Sequence, residues 1–186
     1  AQLAELVGDD LGEALAEGMA KLQGSLQARE AVLAVKEKYE DVIASMKKRL
    51  PKGMRVQALG DFYPAGDEQV IVHEVTGRVV PRGGLPLQVG AVVMNVETVL
   101  NIAWDQPVTH TYMTVAGAVP EPKSVKVPVG MPIREVIQAC GGTTAKPFAV
   151  LSGGVMMGKL VAHLDDPVTK TTGGLLVFPE DHPLIA

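Results

Sequence analysis

Cysteine is nearly absent from this chain, which holds a single one, Cys140. One thiol excludes an intrachain disulfide. It also excludes an iron–sulfur centre held by these residues, because such clusters need several thiolates. Disulfide-free chemistry suits a reducing cytoplasm. Aromatic residues are scarce at 4%, so a core has to come from Val, Leu, Ile, Ala and Met, which the 47% hydrophobic content supplies. No apolar run approaches the ~20 residues of a membrane span, and no secretory leader is visible, so direct membrane insertion is not expected. Neither sign of charge dominates: the net charge is −4 with acids and bases interspersed, which leaves no basic footprint for nucleic acid. No G-x-G-x-x-G or P-loop pattern occurs. His73, His110, His163 and His182 are scattered without ligand spacing, so no metal site is expected. No Ser-His-Asp or paired-carboxylate hydrolase arrangement stands out.

What is present divides near residues 104–107, giving candidate domains 1–105 and 106–186. In the first, residues 3–22 read as a helix with Leu11, Leu15, Met19 and Leu22 on one face. A short strand is expected from Ala31 to Val35. Tyr39, Val42, Ile43, Met46 and Leu50 then form a helical stripe, and Met54 to Leu59 a second strand. Strand, helix and strand with such short links make a βαβ unit with a parallel sheet. The charges over residues 36–49 read as a solvated helix face, with acids early and bases late as the helix dipole favours. In the second, residues 109–119 and 124–129 alternate as the strands of a hairpin. Residues 131–142 read as a helix with Pro132 at its start and glycines at its stop, and strands are expected near 148–154 and 173–178. That order is the order of a β-grasp module. Cys140 is expected to be packed rather than reactive. Met156 and Met157, set between glycines, either fill a loop gap or touch a large apolar cofactor.

Residues 63–98 hold the candidate site. A strand is expected to stop at Tyr63-Pro64 and a helix to start near Gly66, with Asp67 and Glu68 beside free backbone N–H groups. Gly77 sits where a left-handed C-cap would end that helix. The Pro- and Gly-rich stretch after it suggests a loop lying close to something else. Residues 90–94 form a short apolar run expected to be a buried strand, with Asn95 directly after it. Asn95 and Asn101 are the only asparagines in the chain. An Asn side chain both donates and accepts, and could bond a heterocycle, ribityl or phosphate oxygen at a strand end. The alternative is that Asp67 and Glu68 are capping acids and that Asn95 and Thr98 cap a helix running through Ile102.

The motifs YPAGDEQ at 63–69, TGRVVPRGGLPLQVG at 76–90 and NVET at 95–98 resemble a known family. Its members are the NADH-oxidising flavin subunits of respiratory complex I, the C subunits of Rnf electron-transport complexes and the cobalamin reductases of propanediol-utilisation microcompartments. LSGGVMMG at 151–158 and DPVTKTTGGLLV at 166–177 look like the last two groups, so the resemblance covers nearly the whole chain. It implies an α/β fold: the C-terminal half of a Rossmann-like, parallel-sheet FMN domain, then a soluble-ligand-binding (SLBB), ubiquitin-like β-grasp domain. Carried over position by position, it implies that Tyr63, Gly66, Asp67, Glu68, Asn95 and Thr98 line the isoalloxazine and ribityl side of FMN, with Glu68 near the nicotinamide nucleotide.

Two positions depart from the complex I pattern. Met94 replaces a second asparagine, and Leu85 replaces an aromatic that stacks on the nucleotide, a contact typically worth about 0.5–1.5 kcal/mol. The resemblance further implies an oxidoreductase parent that takes hydride from NADH onto FMN. Electrons then pass through 4Fe-4S centres, whose ligands this chain lacks, to other electron-transfer subunits or a corrinoid-dependent enzyme. The ending GGLLVFPEDHPLI looks more like the cobalamin reductases, and a membrane-associated Rnf subunit is the second reading. The chain opens without Met at what looks like a mid-domain position, and is expected to be a piece of a longer flavoprotein, inactive alone and acting at most as a docking or corrinoid-binding module. A cytoplasmic location is expected, within a microcompartment or peripheral to a membrane through partners. Unpaired sheet edges are expected to favour self-association.

Overall fold

The computed structural model describes residues 9–185, and the chain divides between Gln106 and Pro107 into two compact units. In the first unit, helix α1 (Asp9–Ser25) precedes strand β1 (Ala31–Lys36), helix α2 (Glu40–Arg49) and strand β2 (Met54–Leu59). The expected helical face is present: Leu15 and Met19 are buried, with Leu11 and Leu22 packed at the margin of the same cluster. The expected residues 3–8 of that helix lie outside the described ones. β1 and β2 pair in parallel from Ala31↔Met54 to Lys36↔Leu59, as the short βαβ links require. Glu40 and Asp41 open α2 while Lys47, Lys48 and Arg49 close it, each sign at the dipole end that stabilises it. Leu33 and Val35 of β1, Val42 and Met46 of α2, and Val99 and Leu100 complete the core. Each such side chain contributes about 1.5–3 kcal/mol by leaving water.

Helix α3 (Glu68–Thr76) follows β2, then a 3-10 turn (Pro86–Val89) and helix α4 (Val96–Ala103). Gly77 ends α3 in the left-handed region at φ 69° and its N–H donates to the His73 carbonyl, as the sequence anticipates. Two readings need correction. The strand does not run to Tyr63-Pro64; it ends at Leu59, and a turn fills the interval before α3. The apolar run at 90–94 is not a buried strand. It has no ladder partner among the described residues, and Val92 and Met94 are exposed at 50% and 39%. An apolar run becomes a strand only where a neighbour takes its N–H and C=O groups. α1 packs closely on α4: a Cβ at Gly18 would stand 2.5 Å from the Val99 carbonyl oxygen. Lys21 Nζ donates to the Ala103 carbonyl at 2.6 Å, satisfying the end of α4.

The second unit is a mixed five-stranded sheet in the order β4-β3-β7-β5-β6. Its strands are β3 (His110–Gly117), β4 (Lys123–Pro128), β5 (Phe148–Ser152), β6 (Lys159–Leu160) and β7 (Gly174–Pro179). β3 and β4 form the expected antiparallel hairpin, and β3 and β7 run parallel side by side. Together with helix α5 (Ile133–Ala139) this is the β-grasp arrangement. Alternation along β3 puts Thr111, Met113 and Val115 inward, where Met113 and Val115 meet Leu175, Val177, Val136 and Ile137. Cys140 is packed there too, and burial pushes its thiol pKa up. Met156 and Met157 fill no loop gap: both are exposed, at 69% and 77%, because the glycines around them carry the segment out at the β5–β6 turn.

Candidate functional site

The carboxyl ends of β1 and β2 lie side by side, and the Glu37 N–H prolongs the ladder by donating to the Leu59 carbonyl at 2.8 Å. Open α/β folds bind ligands at this edge of a parallel sheet. Asp61 stands there, accepting from Lys36 Nζ at 3.1 Å and from Lys38 Nζ at 3.0 Å. These bonds, that of Lys38 first, hold the Asp61 carboxyl below the usual carboxylate range, and Asp61 in turn raises the Lys38 ammonium. A tight turn follows, with the Ala65 N–H donating to the Phe62 carbonyl at 3.1 Å and the Asp67 N–H to the Pro64 carbonyl at 2.7 Å. The Ala65 methyl is buried and anchors the turn from beneath.

Four of the six sequence-selected residues lie on this one turn. Tyr63 is 58% exposed. Gly66 faces open space where a side chain would begin. Asp67 is the N-cap of α3: its carboxylate accepts from the N–H groups of Gln69 at 2.9 Å and Val70 at 3.4 Å. Glu68, the first helical residue, is exposed. The other two lie at the start of α4. Asn95 is its N-cap, Oδ1 accepting from the Glu97 N–H at 2.9 Å. Thr98 makes no capping bond and is exposed, which corrects its reading as a cap; one side-chain acceptor at Asn95 already occupies that role. The capping alternative therefore describes Asp67 and Asn95 correctly, yet leaves donors over. Among the described residues the N–H groups of Gly66 and Glu68 and Nδ2 of Asn95 have no partner. Replacing Asp67 by alanine is expected to cost about 1 kcal/mol of stability, the usual value of such a cap, read as a lower urea midpoint of Trp104 fluorescence.

Sequence reasoning missed Lys36, Lys38 and Asp61. The available signal was a strand ending in two lysines one residue apart, beside a strand followed by an aspartate.

Residues 8–104, the unit carrying this turn, match the Nuo51 FMN-binding domain. The chain belongs to the Nuo51 FMN-binding domain family. Residues 112–160 match the SLBB domain, where the β-grasp sheet begins. The chain is 50% identical over 175 residues to the cobalamin reductase PduS of Salmonella typhimurium, covering 92% of this chain and 39% of that protein. It is 33% identical over 181 residues to the RnfC-type component of the Na(+)-translocating ferredoxin:NAD(+) oxidoreductase complex of Acetobacterium woodii, covering 94% of this chain and 41% of that protein. It thus spans about two fifths of the length of these relatives. Among solved structures, an NAD+-reducing NiFe hydrogenase in the air-oxidised state superposes with a TM-score of 0.74 at 21% identity, over 95% of this chain and 37% of that one. This last likeness bears on the fold.

The turn suits the group for which the family is named. Unpartnered backbone donors match the oxygen acceptors of a flavin, the missing side chain at Gly66 leaves room for close approach, and exposed Tyr63 and Met94 supply apolar surface for a ring.

Proposed function

We propose that this chain is part of an NADH-oxidising flavoprotein that delivers electrons to a corrinoid. The observation that carries the reading is the 50% identity with a cobalamin reductase across 92% of the chain. In this reading Tyr63, Gly66 and Glu68 hold the isoalloxazine and ribityl side of FMN from the β2–α3 turn, and Asn95 donates through the Nδ2 that its capping bond leaves free. Asp67 keeps the first turn of α3 in place, and Thr98 borders the site from α4. FMN, when bound, supplies the exchange between two-electron and one-electron chemistry. The residues of the chain position it, exclude water and set its hydrogen bonds. NADH is the donor, with Glu68 nearest to the nucleotide, and 4Fe-4S centres held by other residues of the parent carry electrons onward.

A Rnf-type subunit that works with other electron-transfer subunits at a membrane is the second reading, favoured by the 33% identity with the Acetobacterium woodii protein. Among the described residues no helix is long and apolar enough to cross a membrane, so attachment in that case runs through partners. Titration of the chain with FMN, followed by quenching of flavin fluorescence, tests the site. Saturable binding is expected, weakened about tenfold by Asn95→Ala, the loss of one hydrogen bond to a polar ligand, and also weakened by Glu68→Ala. No binding by a folded chain would make this piece a docking module. In the full-length protein, NADH-driven reduction of aquacobalamin, and not of ferredoxin, is expected.

A further inference from the structure

Asp61 touches none of the candidate flavin-binding residues, yet it fastens the turn that carries four of them. Its two carboxylate oxygens take Lys36 at 3.1 Å and Lys38 at 3.0 Å, both from the end of β1 and its extension. Lys36 Nζ also reaches the Phe62 carbonyl at 3.5 Å, the same carbonyl that accepts the Ala65 N–H. The turn is thereby linked to the neighbouring strand just before Tyr63. The Glu37-to-Leu59 backbone bond holds the strands together up to this point and no further.

We infer that Asp61 is a positioning residue, a clamp that uses Lys36 and Lys38 to hold residues 62–67 against the end of β1 and so presets Tyr63, Gly66 and Glu68 for the flavin. The inference rests on the flavin reading for its functional half. The alternative use of two adjacent lysines is direct recognition of a phosphate. Charge argues against it: both ammonium groups are already engaged by Asp61, and Glu37, Asp67 and Glu68 add three more acids within the same short segments. All three clamp residues are partly exposed, so their ion pairs are weak individually and salt-sensitive.

The test compares the chain with Asp61→Asn and Asp61→Glu, in low salt and in about 0.5 M salt, where screening is strong. Amide hydrogen exchange at Ala65 and Asp67, the two hydrogen-bonded N–H groups of the turn, is expected to quicken about two- to fivefold in Asp61→Asn, the range of exposed ion pairs. High salt should do the same to the parent chain, and Asp61→Glu should restore protection. FMN and riboflavin should weaken by the same factor in Asp61→Asn, because a misplaced turn is indifferent to the phosphate. Unchanged exchange overturns the clamp. Tighter FMN with unchanged riboflavin also overturns it, since removing a competing carboxylate would then have freed an anion site. A parent chain that binds neither flavin sinks the flavin reading, while the exchange rates still decide the clamp.

Discussion

Gly117→Ala is expected to destabilise the β-grasp unit by about 3 kcal/mol, combining a left-handed backbone cost with overpacking. Gly117 has φ +92°, and a Cβ on it would stand 2.1 Å from the Val177 carbonyl oxygen and 3.1 Å from the Val177 nitrogen. It is paired with Val177 at the end of the parallel β3–β7 ladder, and the same carbonyl accepts the Ala118 N–H at 2.8 Å. The methyl has no flexible side chain to push aside, so it must part the two central strands. Amide exchange at Val115 and Val177 should quicken by the corresponding two orders of magnitude. Gly173→Ala is the control: nothing lies within 4 Å of its Cβ position, and a change within about 0.5 kcal/mol is expected.

Gly18→Leu should have a comparable effect in the first unit. The Cβ position of Gly18 is 2.5 Å from the Val99 carbonyl oxygen, 2.9 Å from Val99 Cγ1 and 3.1 Å from Ala103 Cβ. Leucine would raise the intrinsic helix propensity of α1 by just under 1 kcal/mol. That gain is outweighed by forcing α1 off α4, an overpacking cost of about 3 kcal/mol or more. Trp104, the one tryptophan in the chain, is the C-cap of α4 and reports the change directly. A net loss of about 2 kcal/mol is expected in urea unfolding followed by its fluorescence. An unchanged midpoint would mean that the two helices can separate at no cost.

Periodic elements were legible in the sequence because local physics decides them. The stripe from Val42 to Met46, the Gly77 cap and the alternation of β3 all survive in the structure. Elements that depend on distant neighbours were not legible. The run at 90–94 has strand composition but no neighbour to pair with among the described residues, and composition cannot report a missing neighbour. Met156 and Met157 look like packing residues, yet glycines lead them outward. At the candidate site, spacing alone identified Asp67 and Asn95 as helix starts, and the structure shows them capping. Their relation to a flavin came from family likeness. Lys36, Lys38 and Asp61 escaped notice because only the register Lys36↔Leu59 brings them together.

The parallel pairing of β3 with β7 also sets an order in time. β3 is the first strand of its unit and β7 the last, and β7 separates β3 from β5 in the sheet. As the chain emerges from the ribosome, the β3–β4 hairpin can form at once, whereas β5 has no central partner until residues 174–179 appear. The α1–α4 unit, whose strands are joined by one short helix, meets no such delay. Synthesis therefore releases a completed first unit while Met113, Val115 and Val150 of the second still await their cover, and that interval is when a nascent β-grasp sheet is most open to mispairing.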